Sequence, residues 1–182
     1  VVIILDKILF DNSSAFKNIR KKLLREYNLK AVFSMPAGIF QPYSGVKTTV
    51  MYFERPTKAE WKKIKNENGF ATRKVLFFEV QSDGFTLSTQ RRPINGAFQG
   101  ENPNIYDPPC GDLPKAVAVF KRWNEWLQNP TEELPDFVDN QQVWIADIEE
   151  IQEKDFNLNP GLYRKIERGK VKWEIVKLRD CL

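Results

Sequence analysis

The sequence predicts an α/β fold, and three observations carry that prediction. Apolar, β-branched runs at Val1–Leu5 and Ala31–Met35 read as buried strands. Between them lies an amphipathic stretch with Phe16, Ile19, Leu23, Leu24 and Tyr27 at helical spacing. A third run, Thr48–Glu54, follows a loop shorter than the ~12 residues a parallel crossover needs, so an antiparallel return is expected there.

In chain order, the strand–helix–strand unit implies a parallel pair joined by a crossover. Asp11, Asn12 and Ser13 offer N-caps to the helix, and Lys17, Arg20, Lys21, Lys22 and Arg25 are assigned to its basic outer face. Such a face is either solvated surface or a phosphate contact. Thr57 and Glu60 have the spacing of a capping box and start a short helix, Lys58 to Glu67, that stops at Gly69. With only Trp61 and Ile64 apolar, it reads as a surface insertion. "KVLFFEV", Lys74 to Val80, is a fourth strand, and "QSDGFTL" a turn. Gln90 to Asp112, rich in Pro, Gly and Asn, is an irregular loop. Asp112 then caps a helix whose stripe is Leu113, Ala116, Val117, Phe120, Trp123 and Leu127, suited to a core or a docking face. "VWIAD", Val143 to Asp147, is a strand, Ile148 to Lys154 a short helix, and the tail "KVKWEIVKL" a strand.

Composition limits the chemistry. Hydrophobic residues at 42% can fill a core, and charged residues at 29% fit a soluble folded protein. No apolar run approaches the ~20 residues of a membrane helix. Without an initiator Met, the sequence is expected to start inside a longer protein. The net charge of +4 permits a polyanion partner without requiring one. Cys110 and Cys181 are far apart and in no metal-ligand spacing, which fits a reduced, cytoplasmic setting. The histidine count of 0 removes Ser-His and Cys-His nucleophiles and the usual zinc sites.

"SMPAGIFQPYSGVKTTVMYFE", Ser34 to Glu54, holds the main functional signal. Phe40 and Tyr43 sit among Pro36, Gly38, Pro42 and Gly45, and a plain surface turn does not need two large rings. Two other stretches imitate active-site motifs. "YDPPCG", Tyr106 to Gly111, looks like an Asp-Pro-Pro-Tyr motif, but Cys110 has no stacking ring and no strand precedes it. Glu79-Val80-Gln81 loosely echoes the Glu-x-Lys motif of metal-dependent nucleases, with Gln in place of Lys and no positioned upstream Asp.

"VVIILDKILF", "LREYNLKAVFSMPAGIFQPYSGVKTTVMYFER", "KVLFFEVQSDGFTLSTQRRP" and "VWIADIEEIQEKDFNLNPGLYRK" fall in one order along the chain. That order resembles the modification subunit of type I restriction-modification enzymes, which are N6-adenine DNA methyltransferases. The resemblance spans nearly the whole chain, with Ser34–Glu54 its most specific part. It implies the C-terminal part of a Rossmann-like methyltransferase sheet with an antiparallel last strand, followed by a mixed α+β extension. Residues 1–56 would belong to the catalytic domain and 57–166 to the extension. Residues 167–182 would open a specificity-type segment, since "VKWEIVKLRDCL" resembles the first strand of such a domain. A terminal strand packed on the sheet is the competing reading.

The resemblance also implies S-adenosyl-L-methionine as cofactor, and DNA, a specificity subunit and a restriction subunit as partners, with no membrane. The family's acidic Gly-rich cofactor loop and its Asn-Pro-Pro-Phe/Tyr motif both lie upstream of the segment resembling Val1. No catalytic or cofactor-binding residue is therefore assigned here, and the piece alone is expected to be inactive. Where the family has Pro-Asp-Gly, this chain has Leu5-Asp6-Lys7. Phe40 matches the family aromatic that stacks on the target base, Tyr43 is a second candidate, and Lys47 could meet a DNA phosphate. A core plug beneath the loop is the competing role for Phe40. For the whole piece, a non-catalytic platform docking the specificity subunit and DNA is the alternative, with the Leu113–Leu127 helix as docking face.

Overall fold

The computed structural model describes residues 1–67, 69–94, 111–131 and 133–165. The Tyr106–Cys110 motif and the tail strand lie outside the described residues. The elements are β1 (Val2–Leu5), α1 (Ser14–Glu26), β2 (Asn28–Ser34), β3 (Thr48–Glu54), α2 (Lys58–Asn66), β4 (Lys74–Glu79), α3 (Leu113–Gln128), β5 (Val143–Asp147) and α4 (Ile148–Glu153). Five strands form one sheet in the order β1-β3-β2-β4-β5.

The expected antiparallel return of β3 is present, and it takes the place between β1 and β2. The sequence-based parallel pair is therefore corrected: β1 and β2 run the same way but are not neighbours. The parallel neighbours are β2 and β4, and β5 returns antiparallel to β4. The three co-directional strands β1, β2 and β4 thus end at one edge of the sheet.

Alternation sorts the strands into two faces. Met51, Val75, Phe77, Trp144 and Ala146 point to one face with Leu29 and Val32. Ala31, Leu76, Phe78, Val143 and Ile145 point to the other. Leu29 and Val32 share a face despite their odd spacing because the register shifts between Leu29 and Ala31. The bulge places Lys30 as an extra residue, and its carbonyl accepts the indole N–H of Trp123 on α3 at 2.9 Å.

The first face is closed by α1, α4 and the segment 154–163, which folds back across it. Tyr163 stacks on Phe77 with centroids 5.0 Å apart, and Trp144 donates to the Pro160 carbonyl at 3.0 Å. The second face is covered by α3. There Phe120 meets Phe33 and Tyr52 edge-on, at 5.8 and 4.7 Å between centroids.

Three further expectations are corrected. Val1–Leu5 is not a buried strand: β1 is a sheet edge, and Ile3 and Leu5 are more than half exposed, with Ile4 packed on the core. Arg20 is not on the outer face of α1. It is 3% exposed and donates to the carbonyls of Phe156, Ile8 and Asp11, each at 2.9 Å, while Ile19 of the expected apolar stripe is exposed. Asp112 occupies the N-cap position of α3 without a side-chain cap; its carboxylate instead accepts the Gln81 and Ser82 amides at 2.7 and 3.0 Å. The Thr57/Glu60 capping box forms as read, holding the Glu60 carboxyl below its usual range through the Thr57 hydroxyl and backbone amide.

Candidate functional site

Loops cluster where β1, β2 and β4 end, the edge at which open α/β sheets bind ligands. Segment 35–47 leaves β2 and enters β3 through this region. Gly38 turns the chain with a φ of 90°, and its carbonyl accepts the Gln41 amide at 3.1 Å. The Gln41–Pro42 peptide is cis, and the Tyr43 and Ser44 amides both donate to the Phe40 carbonyl, at 2.9 and 3.0 Å. A bridge between Phe40 and Ser44 completes a closed turn.

That turn displays the two rings singled out in the sequence. Phe40 is 43% exposed and Tyr43 94%, so Phe40 does not plug the core. Lys47 lies at the base of the same segment, its ammonium 4.0 Å from the Asp6 carboxylate. Asp6 also accepts the Thr49 hydroxyl at 2.8 Å, and its amide donates to the Lys47 carbonyl at 3.1 Å. The Lys47 side chain is 42% exposed and so still reaches solvent. Below the turn, the Ser34 and Thr48 hydroxyls are buried without a hydrogen-bond partner.

A second excursion, 82–94, stands beside the first. The Thr86 amide donates to the Arg92 carbonyl at 2.8 Å and the Ile94 amide to Gly84 at 2.9 Å, making a narrow hairpin. The Leu87 carbonyl lies 3.3 Å from where a Cβ on Gly38 would stand, so the two loops touch where only glycine fits. The sequence marked 82–94 only as a turn leading into a loop. Neither its contact with Gly38 nor the Asp6 pairing had a local signal, since both depend on residues distant in sequence.

On the open part of the α3 face, an apolar groove of about 780 Å³ is lined by Phe33, Val50, Tyr52, Leu113, Val117 and Phe120. On the far side of α3, the Asp139 carboxylate accepts the Gln141, Gln142 and Val143 amides at 2.9, 2.7 and 2.8 Å. Burial pushes this carboxyl up, but the three amides outweigh it and hold it below the usual range. Among the described residues, no group of three or more acidic or Cys side chains could hold a metal, and no helix is long and apolar enough to cross a membrane.

At the strand ends, neither Gly38 nor Asp6 is left open to cradle S-adenosylmethionine. Gly38 faces the Leu87 backbone instead of an open cradle, and Asp6 at the end of β1 is engaged by Thr49 and Lys47.

Comparison with known proteins supplies the family. The family model for N-6 DNA Methylase matches residues 1–171. The chain is 26% identical over 159 residues to the type I restriction enzyme EcoEI methylase subunit of Escherichia coli, covering 87% of this chain and 25% of that protein. It thus spans about a quarter of that relative's length. Two solved structures share the fold. One, from work on complex assembly and conformational transition of the type I R-M system, has a TM-score of 0.55 at 23% identity, covering 92% of this chain and 29% of that one. The other is a type I restriction-modification methyltransferase subunit from Streptococcus thermophilus. Its TM-score is 0.52 at 22% identity, covering 90% of this chain and 26% of that one.

Proposed function

We infer, because this chain belongs to the N-6 DNA methylase family, that its parent protein methylates adenine N6 in DNA as the modification subunit of a type I restriction-modification system, with this segment supplying the target-base side. The observation that supports the reading most is the closed turn 38–44, which exposes Phe40 and Tyr43 at the ends of three co-directional strands.

An adenine in a duplex hides its N6 in the stack, so the nucleotide must swing out at a cost of a few kcal/mol. Stacking on an aromatic ring returns about 1–3 kcal/mol per base. A ring on a turn closed by backbone hydrogen bonds gives that return with little ordering on binding. Phe40 is the stacking ring in this reading, with Tyr43 beside it and Lys47 directed at the phosphate backbone. Because the Asp6 carboxylate faces Lys47, that contact is weaker than one from a free ammonium.

S-adenosylmethionine supplies the methyl group in the parent and is held by residues outside this chain. Residues 1–56 belong to the catalytic domain in this reading, and 57–166 form an extension whose β4 and β5 continue the same sheet. The parent works in the cytoplasm with specificity and restriction subunits. The apolar groove beside Leu113, Val117 and Phe120 favours a second role for the same piece, as a platform on which the specificity subunit docks.

The test is Phe40→Ala in the full subunit on DNA carrying 2-aminopurine at the methylated position. Loss of one stacking contact predicts at least a ~5-fold fall in the extrahelical fluorescence signal with the fold intact. Unchanged fluorescence removes Phe40 from the base site.

A further inference from the structure

We propose that Arg91 is a positioning residue that fixes the aromatic turn 38–44 in place for base capture. This rests on the base-stacking reading above and adds to it the device that orients the ring. Arg91 lies on the return arm of the 82–94 hairpin, and its guanidinium has three partners. One N–H donates to the Gly38 carbonyl at 3.0 Å. Another pairs with the Asp83 carboxylate. Its Cζ lies over the Phe85 ring, 5.5 Å from the centroid.

The Gly38 carbonyl is the same atom that closes the turn by accepting the Gln41 amide. A charge-assisted bond on that oxygen ties the start of the Phe40 turn to a second element. Asp83 is anchored in turn. Its carboxylate accepts the Phe85 amide at 3.2 Å, and its carbonyl carbon lies 3.1 Å from where a Cβ on Gly111 would stand. The next residue, Asp112, holds the Gln81 and Ser82 amides. The connection therefore runs from the start of α3 through Asp83 and Arg91 to Gly38 and the ring-bearing turn.

The side chains of Arg91 and Asp83 are only 16% and 13% exposed. With its charge already matched and its fork largely covered, Arg91 is poorly placed to neutralise a DNA phosphate. A lysine could not serve a carboxylate, a carbonyl and a ring face together, because those contacts need the planar guanidinium.

The experiment uses the full methyltransferase subunit in its assembled complex, with Arg91→Ala, Arg91→Lys, Asp83→Asn and Phe40→Ala. Hydrogen exchange over 38–44 reports the clamp, 2-aminopurine fluorescence reports base capture, and the salt dependence of DNA affinity reports phosphate contacts. Loss of a charge-assisted bond predicts about tenfold faster exchange over 38–44 and about a tenfold fall in the extrahelical signal for Arg91→Ala. The lysine variant should fall between, and the salt slope should not change. Should Arg91→Ala not fold, Asp83→Asn gives the same exchange readout at lower amplitude. Unchanged exchange over 38–44 overturns the clamp. So does a salt slope shallower by about one, which marks a lost phosphate contact. If exchange rises while Phe40→Ala leaves fluorescence unaltered, the clamp stands and the base-stacking role of Phe40 is what fails.

Discussion

On one face of the sheet a buried arginine gathers three carbonyls; beside the other, an aspartate gathers three amides. Arg20 joins α1, the turn after β1 and the segment 154–163 through the Asp11, Ile8 and Phe156 carbonyls. Asp139 ties the approach to β5 through the Gln141, Gln142 and Val143 amides, and Lys115 of α3 lies 3.4 Å from it. The first face is sealed and the second keeps an open apolar groove. The contrast teaches that polar anchors here decide how far each covering layer is committed to the sheet. Arg20 is almost fully enclosed, while the Asp139 side chain keeps 36% of its exposure.

The largest effect should come from breaking the closed face. Arg20→Ala leaves three carbonyls without their donor. It also releases a turn in which Asp155 and Phe156 both have φ of 58°, a left-handed region that costs non-glycine residues about 1–2 kcal/mol each. Burial lowers the Arg20 pKa, yet the guanidinium stays charged at any pH the fold survives, so this anchor works throughout. Arg20→Ala should lower stability by about 3 kcal/mol in urea denaturation. A loss below ~1 kcal/mol would mean that water replaces the guanidinium and that the face is not sealed as described.

Arg20 also marks where sequence reading stopped. β2 through β5 were legible because each is a short apolar run readable from its own residues, and the Thr57/Glu60 box because its two partners are three residues apart. The inward turn of Arg20 was not legible, since its Phe156 partner is 136 residues away. The same holds for strand order. A hydrophobic run states that a strand exists, not that β3 will insert between β1 and β2. At the candidate site, Phe40 and Tyr43 stood out among glycines and prolines, but an aromatic in a loop suits a plug and a platform equally. Arg91 was not singled out in the sequence at all, because the carbonyl it holds lies 53 residues earlier.

A smaller effect, and one that depends on pH, belongs to the open face. The folded-state pKa of Asp139 lies below its ordinary value, so the carboxylate's contribution is present in full above the unfolded pKa of about 4 and is lost as pH falls through the folded one. Asp139→Ala should cost about 1–2 kcal/mol at neutral pH, reduced from the buried-bond figure by its partial exposure. The difference from the unaltered chain should shrink as pH drops below 4. Hydrogen exchange should show α3 loosening in acid before α1 does. If both helices loosen together, or the mutational cost does not vary between pH 7 and pH 3, the anchors do not act on separate faces.

The smallest effect tests the groove itself. Val117 sits on α3 between Pro114 and Phe120 and is 55% exposed, whereas Val119 on the same helix is 6% exposed. Replacing Val117 by Gln keeps the helix and removes a branched side chain that little packs against, so thermal stability should change by no more than about 0.5 kcal/mol. Val119→Gln places an amide among Leu76, Phe78 and Trp123 and should cost several-fold more. Equal losses at the two positions would mean that the groove wall is packed in solution. The difference between a sealed face and an open one would then be one of degree.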